Sequence, residues 1–335
     1  MKRILVTGAA GQIGSELVPI LREIYGNENV VAAGHNTRLP ADLMESGPYT
    51  TVNVADYFEL DREIKWNDIG RIYHLSSILS AKGEQNPELA YAVNIGGLKN
   101  VLDVAKGNDI EQVLIPSSIA AFGPETPKEN TPNDTVQKPR TMYGISKVFQ
   151  ELLGQYYFEK YDLDVRGVRF PGIISWKTEP TAGTTDYAVA IFYEAIRNGH
   201  YTSYLKAGTR LPMMYMPDAV KALIDLGRAD SDRLKHRTDF NVAAFSFTPS
   251  ELADIIRERL PEFTIDYRID PIRQAIADSW PRSLNDSAAR EEWGWKPDWD
   301  LEMMADDMLE KLSKKLAGRK VAKPQVYSPI SRKGV

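Results

Sequence analysis

Along the first half of the chain, short apolar runs alternate with longer stretches whose apolar residues recur every three or four positions. Residues 4–6, 30–32, 51–54, 71–75, 113–115 and 165–169 read as strands. Residues 16–25, 90–106 and 143–160 carry the helical period and are long enough to cross a sheet between them. Strand, helix and strand in that order predict an α/β fold, a doubly wound parallel sheet with right-handed crossovers.

After Arg169 the texture changes. Phe170-Pro171-Gly172 breaks the alternation, and residues 176–185 are rich in Pro, Gly and Thr, the composition of a loop able to close over a site. A helix is expected over 187–198 and another over 218–226, with a late strand over 240–243 rejoining the main sheet. Residues 249–260, 264–267 and 280–299 are expected in a smaller C-terminal lobe. The expected division is therefore residues 1–170 with about 218–245 as a Rossmann-type domain, and about 171–217 with 246–316 as a substrate-binding lobe. Residues 317–335, basic and Pro-bearing, read as a flexible tail.

Composition narrows the partners more than the fold. A formal net charge of -5 without a long basic run argues against nucleic acid and anionic membranes as partners. No segment approaches the roughly 20 apolar residues of a membrane span. The absence of cysteine removes disulfides, thiol nucleophiles and cysteine-held metals, and fits a reducing compartment, so the chain is expected in the cytoplasm. The four histidines, His35, His74, His200 and His236, have no metal-ligand spacing and read as structural. The first residues run directly into a strand, leaving no room for a leader peptide.

Gly8, Gly11 and Gly14 stand at the first strand-to-helix turn, where free backbone N–H groups and a helix dipole attract a pyrophosphate. The second strand of such a fold commonly ends in an acidic residue for the ribose 2′-hydroxyl, but here the sequence is Gly34-His35-Asn36-Thr37-Arg38. Asn36 can hydrogen-bond that hydroxyl and keeps NAD as the expected cofactor; His35 or Arg38 beside a 2′-phosphate would make it NADP. Asp56, after the third strand, can accept from the adenine amino group or serve as an ordinary loop aspartate.

Tyr143 and Lys147 lie four apart, so on a helix they share a face. A cation beside the phenol favours phenolate and lowers its pKa toward a value useful in a general base. The same spacing recurs at Tyr156 and Lys160, but that pair lies deep in the same helix, and at about 100° per residue its tyrosine points to nearly the opposite side. Tyr156 therefore reads as core or interface. The strand at 113–115 leads into Pro116-Ser117-Ser118, at the carboxyl end where open α/β sheets bind ligands. Ser118 is the hydroxyl expected to hold a substrate alcohol.

In this order the glycine turn, Ser118 and Tyr143-x-x-x-Lys147 resemble the extended short-chain dehydrogenase/reductase superfamily, which includes NAD-dependent epimerases and dehydratases. Several strings are similar to its L-threonine 3-dehydrogenase family: Gly11-Gln12-Ile13-Gly14, Pro116-Ser117-Ser118-Ile119-Ala120, Tyr143-Gly144-Ile145-Ser146-Lys147, Gly183-Thr184-Thr185-Asp186-Tyr187-Ala188, Leu211-Pro212-Met213-Met214-Tyr215-Met216 and Asp278-Ser279-Trp280-Pro281. The likeness runs from Lys2 to about Leu316. It implies an oxidoreductase in which Ser118 holds the substrate hydroxyl, Tyr143 removes its proton, and Lys147 acidifies Tyr143 and holds the nicotinamide ribose. It further implies NAD contacts from Gly8, Gly11, Gln12, Ile13, Leu75, Asn94, Pro171 and Ile173, and Ser80, Thr184, Thr185, Asp186 and Trp280 around L-threonine. Asp186 suits the ammonium of a buried zwitterion, which needs partners for both charges. Gly34 stands where that family has aspartate, which opens the cofactor preference. A homodimer is also implied. The rival readings are a nucleotide-sugar epimerase or dehydratase and a non-catalytic cofactor sensor.

Overall fold

The computed structural model describes residues 2–181 and 183–319. Six parallel strands form the central sheet in the spatial order Tyr49–Thr51, Val30–Gly34, Arg3–Thr7, Ile69–His74, Gln112–Leu114, Asp164–Arg166. The direction of winding reverses between Arg3–Thr7 and Ile69–His74. The connections leave those two strands on opposite faces, opening a crevice at their carboxyl ends.

Alternation along the strands loads both faces. Ile4 and Val6 pack with Leu17, Val18 and Leu21 of the helix Gly14–Tyr25, whereas Leu5 and Val31 point the other way, onto Leu98, Val101 and Leu102 of the helix Leu98–Gly107. Burial of both faces is why these strands are short and almost wholly apolar.

Three elements differ from the sequence reading. The third strand is Tyr49–Thr51, not 51–54: Val52 N–H makes a last bond to the Gly34 carbonyl at 2.9 Å, the chain then drops to the helix Tyr57–Trp66, and the side chains of Val52 and Val54 plug the core. The helix expected over 90–106 is interrupted by a π-helical turn at Tyr91–Gly97. The strand at 165–169 breaks at Gly167, whose N–H donates to the Arg237 carbonyl. Its continuation, Val168–Phe170, leaves the main sheet to pair with Ser117–Ser118 on one side and Phe240–Asn241 on the other. The late strand thus joins this three-stranded extension, not the six-stranded sheet.

Around Gly172–Ile174, Leu211–Tyr215 and Phe245–Phe247 a second core gathers the helices Tyr187–Asn198, Pro249–Arg259 and Leu301–Arg319. Trp280 belongs to it. Trp293 and Trp295, read from the sequence as part of this lobe, pack instead on the nucleotide side, with Phe240 5.9 Å from Trp293 between ring centroids. The last helix runs through the point where the tail was expected to begin; residues 320–335 lie outside the described ones. Among the described residues no helix is long and apolar enough to cross a membrane.

Trp295 is 2% exposed. Trp295→Ala is expected to cost about 3–5 kcal/mol of stability, read as a lowered denaturant midpoint at unchanged slope.

Candidate active site

The glycine turn has the shape a pyrophosphate needs. Gly8 sits at φ +67°, in the left-handed region, and a Cβ there would lie 2.8 Å from the backbone of Leu75 and Ser76 at the end of the neighbouring strand. Only glycine satisfies both constraints. The loop is thereby held flat against Leu75, at the crevice, with the helix Gly14–Tyr25 starting behind it. Gly11 and Gln12 form the rim, and the half-buried Ile13 stands at the cap of that helix. This cradle fits a dinucleotide.

At the adenosine end, His35, Asn36 and Arg38 are all exposed and free to meet a ribose. Beside Gly34, Leu39 occupies the space a side chain would enter: a Cβ would stand 3.2 Å from its Cγ. Asp56 is exposed and caps the helix Tyr57–Trp66, its Oδ1 accepting from the N–H groups of Phe58 and Glu59, both at 3.0 Å.

The residues read as catalytic come together because the helix Met142–Tyr161 starts hard against the 3-10 turn Ile119–Ala121. Thr141 caps the helix by accepting from Gly144 N–H at 3.1 Å, and any side chain at Gly144 would collide with the Ala120 carbonyl. This packing brings the Tyr143 phenol beside Ser118, whose Oγ accepts from Ala120 N–H at 3.2 Å. Lys147, 6% exposed, places its Nζ 5.4 Å from the Tyr143 ring centroid and donates to the Pro116 carbonyl at 2.8 Å and Gln150 Oε1 at 3.0 Å.

Here the electrostatics depart from the sequence expectation. Burial pushes the Tyr143 phenol up to about 12, offset only in part by the Ser118 hydrogen bond, and pulls Lys147 down to about 8. A cation at this range does not outweigh the loss of water around the phenol. His74 is likewise driven to about 3 by burial and then by the charge of Lys147, so it stands neutral, bonded through Nδ1 to Thr7 Oγ1 at 2.9 Å.

Asn94 lies in the π-helical turn and is 7% exposed. Its Oδ1 accepts from Ile78 N–H at 2.7 Å, and its Nδ2 donates to the Ile78 carbonyl at 2.9 Å and to Ser146 Oγ at 3.2 Å. Ser146 Oγ in turn donates to the Tyr143 carbonyl at 2.7 Å, which ties the loop after the fourth strand to the catalytic helix. Ser80, half-buried, opens the helix Ser80–Gln85, whose Glu84 accepts from Met142 N–H at 2.7 Å.

From the smaller lobe, the 3-10 turn Thr184–Asp186 packs on the strand carrying Ile173, just after Pro171. The Thr185 Cβ lies 2.9 Å from where a side chain on Gly172 would begin. Thr184 is buried, and its carbonyl accepts from Tyr204 Oη at 3.3 Å. Asp186 precedes the helix Tyr187–Asn198 without capping it; its Oδ2 accepts from Thr181 N–H at 2.5 Å and Thr181 Oγ1 at 2.6 Å. Trp280, 8% exposed, forms one wall of a cavity of about 500 Å³ together with Lys206, Asp278 and Arg282. Tyr156 is half exposed and stacks edge-on with Tyr157 and Tyr161, so it is no core residue.

The segment read as a closing loop is anchored at its start. Ser175 Oγ donates to Glu16, and Lys315 Nζ donates to the carbonyls of Trp176 and Lys177 at 3.0 and 2.7 Å.

Known proteins share this arrangement. The model of the NAD dependent epimerase/dehydratase family matches residues 4–243. The chain belongs to that family. Within it, an uncharacterised epimerase/dehydratase of Staphylococcus aureus is 48% identical over 94% of this chain and 98% of its own length. Among solved structures, an L-threonine dehydrogenase from Clostridium difficile is 50% identical and superposes with a TM-score of 0.91, covering 94% of this chain and 98% of the other. An L-threonine 3-dehydrogenase of metagenomic origin, described as monomeric, is 43% identical with a TM-score of 0.89, covering 93% and 99%. An epimerase/dehydratase-family member of this kind takes a nicotinamide cofactor, and the glycine cradle accommodates one.

The sequence reading did not single out Glu151 and Arg169, a buried ion pair with 2.8 Å between Arg169 Nη2 and Glu151 Oε2 that also bonds Ser117. Glu151 continues the four-residue step of Tyr143 and Lys147 along one helix face, which was the available signal.

For Gly8→Ala, the backbone around the site must shift, because both atoms in the way belong to main chain. An affinity for NAD at least tenfold lower is expected by titration calorimetry; unchanged binding would count against the cradle.

Proposed function

We propose that this protein is an NAD-dependent L-threonine 3-dehydrogenase, with Ser118, Tyr143 and Lys147 as its catalytic residues. The observation that carries the reading is the convergence of Tyr143, Lys147 and the strand end bearing Ser118 at the mouth of the dinucleotide crevice. It occurs in a chain whose likeness to L-threonine dehydrogenases extends through the smaller lobe. A bound nicotinamide supplies the hydride acceptor. The substrate hydroxyl enters between Ser118 and Tyr143, so that Ser118 Oγ orients it and Tyr143 Oη takes its proton. As the carbon–hydrogen bond at the threonine β-carbon breaks, the hydroxyl becomes a carbonyl and the product is 2-amino-3-oxobutanoate. Thr184, Thr185 and Ser80 solvate the ends of the zwitterion, Trp280 walls it, and Asp186 exchanges Thr181 for the ammonium. Leu75, Asn94, Pro171 and Ile173 line the cofactor side. Closing of the segment from Trp176 to Thr185 would exclude water from the alcohol.

A homodimer is part of the same proposal. Ile145, Leu152 and Tyr156, 48, 65 and 49% exposed, lie on the outward face of the catalytic helix, and Tyr91 is exposed on the neighbouring π turn. Such an apolar stripe suits a second copy of the chain. Light scattering should give twice the 37.6 kDa chain mass; a single-chain mass at micromolar concentration overturns this.

The decisive assay mixes the protein with L-threonine and either NAD or NADP and follows reduced nicotinamide, with UDP- and dTDP-sugars as the competing substrates. Reduction with NAD and threonine is expected; turnover of a nucleotide sugar alone would mean an epimerase or dehydratase. Tyr143→Phe should lower kcat by about 10² to 10⁴, and near-complete retention would exclude Tyr143 as the base. Because burial raises the phenol to about 12, its ionised fraction grows tenfold per pH unit below that value. Turnover is therefore expected to rise from pH 6 toward pH 8, bending over as Lys147, at about 8, loses its charge. A flat profile across that span contradicts proton removal by Tyr143.

A further inference from the structure

Behind the catalytic serine lies an ion pair that the reaction as described does not use. Glu151 and Arg169 are 3 and 2% exposed. Glu151 Oε1 accepts from Arg169 Nε at 3.0 Å and from Ser117 Oγ in a short hydrogen bond; Oε2 accepts from Arg169 Nη2 at 2.8 Å and Gln137 Nε2 at 2.7 Å. Arg169 is fixed in its turn, with Nη1 donating to the Asn133 carbonyl at 2.7 Å and its guanidinium 5.0 Å from the Phe122 ring centroid. Two charges withdrawn from water this completely contribute little net stability, and apolar residues of the same volume would often serve as well. Their position is what is unusual. Glu151 is one helical turn beyond Lys147 and two beyond Tyr143, and its partner Ser117 directly precedes Ser118.

We propose that Glu151, locked by Arg169, is a positioning residue for the reaction: its carboxylate pins the Ser117–Ser118 strand end and supplies the negative charge that Lys147 faces. This rests on the catalytic roles given above to Ser118 and Lys147. The groups around Lys147 leave no other source for that charge. Tyr143 on its own helix is a neutral phenol, His74 from the fourth strand is neutral, and Pro116 and Gln150 offer uncharged oxygens. Arg169 is positive and lies beyond the carboxylate. Burial lowers the lysine to about 8, and Glu151 is what opposes the fall. With Glu151 neutral, the ammonium loses its counter-charge and Lys147 gives up its proton at a lower pH. The protein would then enter the neutral range with a lysine already discharged.

The test follows the ¹³Cε resonance of Lys147, identified by its loss in Lys147→Met, through a pH titration, alongside the pH profile of threonine oxidation. Glu151→Gln is expected to move the lysine midpoint down by at least half a pH unit. It should shift the alkaline limb of kcat by the same amount and leave KM for threonine within twofold; Glu151→Asp, which keeps the charge, should restore the midpoint. A midpoint unmoved in Glu151→Gln overturns the proposal. Should the single variant fail to fold, Glu151→Gln with Arg169→Gln removes both members of the buried pair and is read in the same way. If the unaltered protein does not oxidise threonine, the substrate assignment fails on its own, while the resonance still decides the role of Glu151.

Discussion

Everything at the site depends on how near the catalytic helix comes to the end of the Ser118 strand. Gly144 permits contact with the Ala120 carbonyl, and Thr141 fixes the first turn. Those two features bring the phenol up to the strand end that carries the serine hydroxyl. Oriented groups of this kind gain their effect from being already in place. The Asn94 and Ser146 hydrogen bonds hold the same helix from its other side, so its start is clamped from the connection after the fourth strand as well as from the serine strand.

The doubly wound sheet was legible because its strands are apolar on both faces and its helices are amphipathic. The residues that deviated did so for local reasons. Val52 and Val54 have the alternation of a strand but spend it on core packing, since the chain must descend to the helix capped by Asp56. The π turn at Tyr91–Gly97 leaves the apolar period nearly intact and is invisible to it. Gly167 marks the strand break, yet a glycine within an apolar run does not say where the chain will pair next.

At the site, the proximity of Tyr143 and Lys147 was readable and the energies were not. Tyr143, Lys147 and Ser118 meet as their spacing and position predicted, but the ionisation of the pair follows burial, which depends on what the fold lays over it. The cation was expected to make the phenol acidic; in the folded chain desolvation dominates both groups and brings them apart on the pH scale. Asp186 was read as a waiting counter-charge, and it is engaged with Thr181 through both an amide and a hydroxyl. That engagement keeps a carboxylate satisfied at the edge of the lobe.

Lys315, far along the last helix, grips the carbonyls of Trp176 and Lys177 and the hydroxyl of Tyr193, at 3.0, 2.7 and 2.8 Å. The hinge of the segment leading to Thr184 is thus fastened by a residue about 140 positions later in sequence. Ribosomal synthesis must pass Lys315 before that fastening exists, so a chain halted short of it would hold a finished nucleotide cradle beside an untethered segment.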